Sequence, residues 1–389
     1  MPFLSIDTST YDSSETIRKQ LIEKFAELNY IIHLTSKFLG IYQNAEKPKG
    51  NLSTILHSIK QVWSCFLLFL LFLGFMISVT LTSVAVTSLY LIGLIDFLFL
   101  FYYNWSHFEY RFFRSLMHSS TGVGILKQFK MLNRIKNISI FISLAIVAAV
   151  LLLVSLSLFK ISQPVLIDMF KINDDVIRIF YMACFGIIML STPAANCICF
   201  LYISQVISEY EIFNADFETD ANTYQIAVAR HYAHAHNRIY KSFQTIERPI
   251  SYWVSSHILI NLVIVLKSIH YLSHIQIDER NAITNLCLAA PTSFYLVSCL
   301  FQSICILYVA LDIRHQMTRL KQLMFNLLIG QRILHDQTYS LCIACISHFH
   351  IHKYGISFFR LTIIDRQFIN FICFGCFLIL FLSAHQESG

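Results

Sequence analysis

Polar and thiol-bearing side chains recur at intervals of three in the last apolar stretch of this 389-residue chain. The series is Gln367, Asn370, Cys373 and Cys376, with Ser383 further along. On an α-helix, a spacing of three keeps side chains along one slowly drifting side. Such a side could line a water-filled pore, or it could pack against other helices in lipid, where Asn forms interhelical hydrogen bonds. No ring of acidic residues accompanies the series, so carbonyl groups or hydrophobic gating would have to control conduction.

Another set of polar side chains is spread over the outer halves of four further apolar stretches. Small-molecule pockets have mostly apolar walls with a few polar groups, although an interfacial belt of aromatic residues has a similar composition. We take Tyr181, Asn261 and Tyr295 as the candidate ligand-binding residues. The full set is Ser155, Ser157, Tyr181, Cys184, Asn261, Ser268, Tyr271, Thr292, Ser293 and Tyr295.

Asp96 is the single charged residue between Gln61 and Tyr103. A charge at membrane depth is costly and is a candidate functional group by default. A polar contact inside a helix bundle, or an orientation toward the nearby aqueous boundary, would also accommodate it. We favour such a structural role for Asp96 over a functional one.

Two clusters of histidine and cysteine carry side chains that can bind zinc. In the second cluster the gap between Cys and His is too short for a standard zinc finger, and on a helix His350 would point away from its neighbours. We therefore expect polar packing faces, with no metal and no cofactor. The clusters are His231, His234 and His236, and Cys342, Cys345, His348, His350 and His352.

The composition is that of an integral membrane protein. Hydrophobic residues make up 56% of the chain and charged residues only 13%, about half the usual charged share. The apolar residues also form long uninterrupted runs, as membrane-spanning helices require. Motifs such as a phosphate-binding glycine loop, H-E-x-x-H or G-x-S-x-G are absent. We therefore expect a membrane protein that is not an enzyme and does not bind nucleic acid.

The elements that must position these residues are predicted to be seven membrane-spanning helices. Residues 61–103 would measure about 63 Å as one helix, roughly twice the hydrocarbon thickness, so they are divided into two. The predicted fold class is an all-α, seven-helix membrane bundle. The predicted spans are 62–82, 84–103, 138–159, 178–205, 252–272, 286–311 and 364–384.

The distribution of positive charge predicts the orientation of the bundle. The N-terminal segment and every second loop together carry 23 Lys and Arg, whereas the alternate loops carry four. Positively charged loops remain in the cytosol, so we expect a cytosolic N-terminus and an extracellular C-terminus. The glycosylation sequons at Asn51, Asn104 and Asn137 then fall on the cytosolic side, where they would not be used.

Two short motifs add to this topology. Phe38-Leu39-Gly40-Ile41-Tyr42 resembles the LGlfP segment before the first span of gustatory receptors, and Gly355-Ile356-Ser357-Phe358-Phe359-Arg360-Leu361 resembles their GxFFxLD segment before the last. The TYhhhhhQF signature has only a degraded counterpart at 376–384, where Cys, Phe and Ser replace Thr, Tyr and Gln. The chain thus resembles the insect odorant and gustatory receptor superfamily, including its nematode gustatory-like and serpentine-receptor members.

The resemblance implies a ligand-gated cation channel of the plasma membrane, with four copies each contributing the last helix to a central pore. It implies a small-molecule ligand or other stimulus, bound in a pocket opening outward between spans two and six. We expect a cytosolic segment 1–61; spans one to six in 62–311 with cytosolic loops 104–137 and 206–251; an anchor-like segment 312–360; and the last span and tail in 361–389. Two alternatives remain: a seven-span receptor of G-protein-coupled type, and, less supported because no inverted repeat is evident, a secondary transporter.

Overall fold

The computed structural model describes the chain at residues 9–41, 51–81, 84–106, 108–118, 126, 128–138, 140–141, 175–220, 226–273, 282–330, 339–340, 342–344, 346–347 and 354–387. Most of the predicted third span, 138–159, lies outside these residues, as do Ser155 and Ser157. The main elements are helices α1 (Ser9–Phe38), α2 (Asn51–Leu81), α3 (Val84–Trp105), α4 (Phe108–His118), α5 (Asp175–Asp220), α6 (Ile226–Ser273) and α7 (Ala282–Gly330), strands β1 (Ser357–Phe358) and β2 (Thr362–Ile363), and helix α8 (Arg366–Glu387).

Five of the described helices are long and apolar enough to cross a membrane: α2, α3, α5, α6 and α7. They coincide with the predicted spans one, two, four, five and six. The predicted division of 61–103 into two helices is correct, because α2 ends at Leu81 and α3 begins at Val84. The last predicted span corresponds to α8, whose described apolar part is the shorter segment Arg366–Phe381. The predicted all-α membrane fold is confirmed.

Helices α5, α6 and α7 are much longer than a membrane is thick. They contain 46, 48 and 49 residues, about 70 Å each at 1.5 Å per residue, against a hydrocarbon core of about 30 Å. Most of the range 206–251, predicted as a loop, is therefore helix. Helix α7 likewise continues to Gly330, beyond the end of the sixth predicted span at 311.

Helix α5 lies at the centre of the bundle. Nearly all its side chains from Ala194 to Tyr210 are buried, as expected for a helix that is apolar on every side. Beyond the predicted spans 178–205 and 286–311, the side-chain amide of Asn214 donates to the backbone carbonyl of Gln316 on α7, at 3.0 Å. The centre of the bundle therefore continues into the helical extensions.

Helix α1 packs against one end of the bundle along an amphipathic face. Leu21, Phe25, Leu28 and Ile32 are buried at helical spacing, which is the pattern of a helix with one apolar stripe. At the same end, the Asn104 side-chain amide donates to Ser36 Oγ of α1 at 3.1 Å. Asn104 is only 9% exposed. The Asn104 side chain, which a glycan would modify, is therefore covered by α1.

Candidate functional site

Helix α8 is covered by little of its own chain. None of its side chains from Arg366 to Phe381 is buried. Gln367, Asn370 and Cys373 are exposed and Cys376 is half-buried, whereas the side chain of Ser383 lies outside the described residues. The large apolar side chains are also exposed, including Phe371 at 75% and Phe374 at 65%. Within a single subunit most of the α8 surface is therefore uncovered, while Phe368 and Ile372 pack against the bundle.

The polar series does not form a straight stripe along α8. With 3.6 residues per turn, a step of three residues rotates the side chain by about −60°. From Gln367 to Cys376 the series therefore turns through about half of the helix circumference. Asn370 and Cys373 lie in the middle of this arc, and they are the members of the series best placed to share one face.

A short antiparallel hairpin precedes α8. Its strands pair Ser357 with Ile363 and Phe358 with Thr362. The turn contains Phe359 at φ +46° and Arg360 at φ +61°. The Leu361 N–H donates to the Phe358 carbonyl at 2.9 Å, so these two residues are the centre of a β-turn, and both have the positive φ of a type I′ turn. Side chains other than Gly disfavour a positive φ by about 1–2 kcal/mol per residue. The surrounding contacts must offset this strain.

Helix α6 holds the hairpin through side chains spaced by four. The Ser357 backbone N–H donates to Ser251 Oγ at 3.2 Å, and the Phe359 N–H donates to Ser255 Oγ at 2.7 Å. The Ser357 hydroxyl donates to Glu247 Oε1 at 3.1 Å. These bonds satisfy backbone and hydroxyl groups of the hairpin and fix its strained turn against α6.

Helix α7 holds the start of α8. Asp365, which precedes the helix, accepts a hydrogen bond from the Phe368 N–H at 2.8 Å as its N-cap. Its other oxygen forms an ion pair with Arg314 Nη1 of α7 at 2.6 Å. Although partial burial opposes ionisation of Asp365, the Phe368 and Arg314 contacts outweigh it and hold the pKa of this carboxyl below its usual range. The first turn of α8 is therefore fixed to α7, and the hairpin before it to α6.

A buried polar cluster lies within the bundle around Asp96. Its members are Asp96 of α3, Asn196 of α5, Trp253, His257 and Asn261 of α6, and Gln302 of α7. Asp96 is 0% exposed. Its Oδ1 accepts a hydrogen bond from Trp253 Nε1–H at 2.8 Å and lies 2.8 Å from His257 Nε2. The structure thus shows the predicted polar contact inside the bundle, and Asp96 does not extend to the aqueous boundary.

Gln302 connects the other members of the polar cluster. Its Nε2 donates to Asn196 Oδ1 at 2.9 Å and lies 3.3 Å from His257 Nδ1. Its Oε1 accepts from Asn261 Nδ2 at 3.2 Å. Four helices are therefore joined by one hydrogen-bond chain. Sequence reasoning did not identify His257 or Gln302, although the spacing of four through Trp253, His257 and Asn261 places three polar-tipped side chains on one face of α6.

The predicted ligand-binding residues are placed only in part. Asn261 is fully buried and belongs to the polar cluster, where it also donates to Ser303 Oγ at 3.2 Å. The side chains of Tyr181 and Tyr295 lie outside the described residues. The role of these three residues in ligand binding stays a prediction.

The histidine and cysteine clusters are also described only in part. His234 is exposed and His236 is buried, so these two side chains have different environments. Among the described residues, no three His, Cys, Asp or Glu side chains come together to hold a metal ion. Cys345, His348, His350 and His352, together with the side chain of His231, lie outside the described part of the chain.

Comparison with known proteins places the fold. No protein-family description and no curated protein matches the sequence. The structure of the olfactory receptor OR5 from the insect Machilis hrabei superposes with a TM-score of 0.66 at 12% identity, over 95% of this chain and 98% of that one. The same receptor in complex with eugenol gives 0.65 at 13% identity, over 95% and 99%. The protein is a multi-pass membrane protein with the fold of the insect olfactory receptors.

Proposed function

We propose that this protein is a chemosensory receptor of the gustatory-receptor-like type, acting as a ligand-gated cation channel in the plasma membrane. The observation that carries the proposal is the fold, which matches an insect olfactory receptor over nearly the full length of both chains. Ligand gating, cation conduction and location in the plasma membrane are parts of this proposal.

The exposure of α8 supports its assignment as the pore helix. Within one chain its Phe371, Phe374 and Phe377 are all more than 60% exposed, and lipid or another protein helix must cover such a surface. Four copies around a central axis would bring the α8 helices together, with Asn370 and Cys373 toward a water-filled path and Phe374 and Phe377 one turn further along the same side of the helix. In this assembly the remaining bundle, 62–311, holds the pore helix from outside, and segment 312–360 forms a cytosolic anchor between the subunits.

The proposed topology has a cytosolic N-terminus, with Tyr181, Asn261 and Tyr295 contributing to a small-molecule pocket on the outer side. Eugenol, which is bound in one Machilis hrabei structure, sets the chemical class with which to begin: small, mostly apolar molecules with a hydroxyl group. A seven-span receptor that signals through a cytosolic partner is the alternative, and it requires the opposite orientation.

The mass of the purified assembly tests the proposal without knowledge of the ligand. Mass photometry in detergent should give about 180 kDa of protein, which is four chains of 45.1 kDa. A single chain as the only species under mild detergent conditions would contradict the pore assignment.

The accessibility of Cys373 tests the pore directly. A membrane-impermeant methanethiosulfonate reagent should modify Cys373 and reduce whole-cell current, because hydrated thiols form the reactive thiolate. Cys373→Ser is the control and should remove the effect. Asn370→Leu should also reduce unitary current, because an apolar side chain favours dewetting of the path. Unchanged unitary current in Asn370→Leu, with Cys373 inert, would remove this face of α8 from the pore.

A further inference from the structure

We propose that Asp96 and His257 form a proton-binding site inside the helix bundle, and that the proton bound there controls the hydrogen-bond chain joining α3, α5, α6 and α7. Both side chains are 0% exposed, and their nearest polar atoms are 2.8 Å apart. Among the described residues, no Lys or Arg pairs with Asp96. The site lies within the spans, so a proton is the simplest ligand that can neutralise it.

The need for a proton follows from charge and burial. Without one, the pair consists of a carboxylate and a neutral imidazole and carries one negative charge away from water. A buried charge without a counter-ion is strongly disfavoured, and titratable groups in this position normally become neutral. One added proton makes the pair neutral as a whole, either as a carboxylic acid with imidazole or as a carboxylate with imidazolium.

The hydrogen-bond pattern shows where the proton can reside. Gln302 Nε2–H points toward His257 Nδ1, which is then an acceptor, so that the ring proton lies on Nε2 and is donated to Asp96 Oδ1. Asp96 Oδ2 has no hydrogen-bond partner among the described residues. It is the oxygen left to carry the additional proton.

A proton on His257 Nδ1 requires a different arrangement of the chain. Gln302 must then rotate its amide so that Oε1 accepts from Nδ1–H, and its Nε2 turns toward Asn261. Asn261 Oδ1 has no hydrogen-bond partner among the described residues and can accept this N–H after its own amide rotates. The position of one proton is thereby coupled to the amide orientations on α6 and α7.

The surroundings of the pair contribute few other titratable groups. Helix α5 brings the Cys199 thiol close enough to interact electrostatically with Asp96. From helix α7, Gln302 contacts His257 and Ser303 contacts Asn261, and neither side chain carries a charge. Cys199→Ser therefore separates a contribution of this thiol from that of the Asp96–His257 pair.

Trp253 provides a built-in reporter of the site. Its ring centroid lies 4.1 Å from that of His257, and its Nε1–H binds Asp96. Imidazolium in contact with indole quenches its emission, and loss of charge on Asp96 shifts the emission wavelength. The chain has three tryptophans, so Trp63→Phe with Trp105→Phe leaves Trp253 as the sole emitter.

The experiment is a fluorescence titration of the purified Trp63→Phe/Trp105→Phe protein between about pH 5 and pH 9, which brackets the ordinary imidazole range. We expect a one-proton transition that is retained in Cys199→Ser and lost in Asp96→Asn/His257→Gln. A flat titration, or an identical transition in the double variant, would overturn the proposal.

If the double variant does not fold, Asp96→Asn alone decides. Its amide oxygen can accept from Trp253 and His257, but it binds no proton and carries no charge. The midpoint of the emission transition should then differ from that of the parent protein, or the transition should be absent, because the variant lacks the carboxylate that shares the proton. An unchanged midpoint would show that the two groups do not titrate together. None of these measurements needs ion conduction, so they are independent of the proposed channel function.

Discussion

Gly93 of α3 lies close against Ile188 of α5, and its replacement by Ala has a calculable effect. A Cβ atom at position 93 would lie 2.2 Å from Cγ1 and 2.8 Å from Cδ1 of Ile188 on α5. Carbon atoms in favourable contact are about 3.5–4.0 Å apart. To reach such a distance, the two helices must separate by on the order of 1 Å, or Ile188 must leave its rotamer.

The expected free-energy change combines two opposing effects. Overfilling a packed core costs about 1–3 kcal/mol, whereas replacing Gly by Ala inside a helix gains about 0.5–1 kcal/mol. Gly93→Ala should therefore destabilise the protein by about 1–2 kcal/mol. Gly186→Ala on α5 is the matched control, since no atom lies within 4 Å of its added Cβ. This control should be neutral or slightly stabilising.

Thermal unfolding in detergent, with all variants heated at the same rate, measures the difference. Gly93→Ala should melt a few degrees below the wild type, and Gly186→Ala should not. Equal melting temperatures for the two variants would refute the close approach of α3 and α5 at this point.

Three further outcomes concern the N-cap of α8, the Asn104 sequon and the orientation of the bundle. Asp365→Ala should lower the free energy of unfolding by about 1–2 kcal/mol through loss of the α8 N-cap. Arg314→Gln should destabilise the Asp365→Ala variant less than it destabilises the wild type, because the ion pair is already absent, and a double-mutant cycle of melting curves measures this difference. Asn104 should carry no glycan, because α1 covers its side chain, so glycosidase treatment should leave the electrophoretic mobility of the protein unchanged. A C-terminal epitope should be stained on intact cells, and staining only after permeabilisation would support the alternative receptor with the opposite orientation.

The helices could be predicted because their signals are local. Apolar runs of membrane length predicted the five spans that the structure describes, and the length of 61–103 required its division into two helices. The extensions of α5 and α6 were assigned to a loop because their charged residues end the apolar run without ending the helix. Hydropathy reports the membrane boundary, whereas helix length also depends on packing outside it.

The polar cluster could be predicted only at one residue. Asp96 is conspicuous because it is a lone charge in an apolar segment. Its partners Trp253 and His257 lie more than 150 residues later, and which helix faces Asp96 depends on how the bundle packs. The hairpin was equally hidden, since its turn uses Phe359 and Arg360 instead of the Asn-Gly pair that marks a type I′ turn.

A second substitution that relieves the clash in Gly93→Ala gives the strictest test of the packing between α3 and α5. Ile188→Ala alone should cost about 2–5 kcal/mol, because it opens a cavity in a buried site. In the Gly93→Ala background it should cost at least about 1 kcal/mol less, because the new Cβ occupies part of that space. Purely additive effects in the melting curves would therefore contradict the contact between α3 and α5 at Gly93 and Ile188.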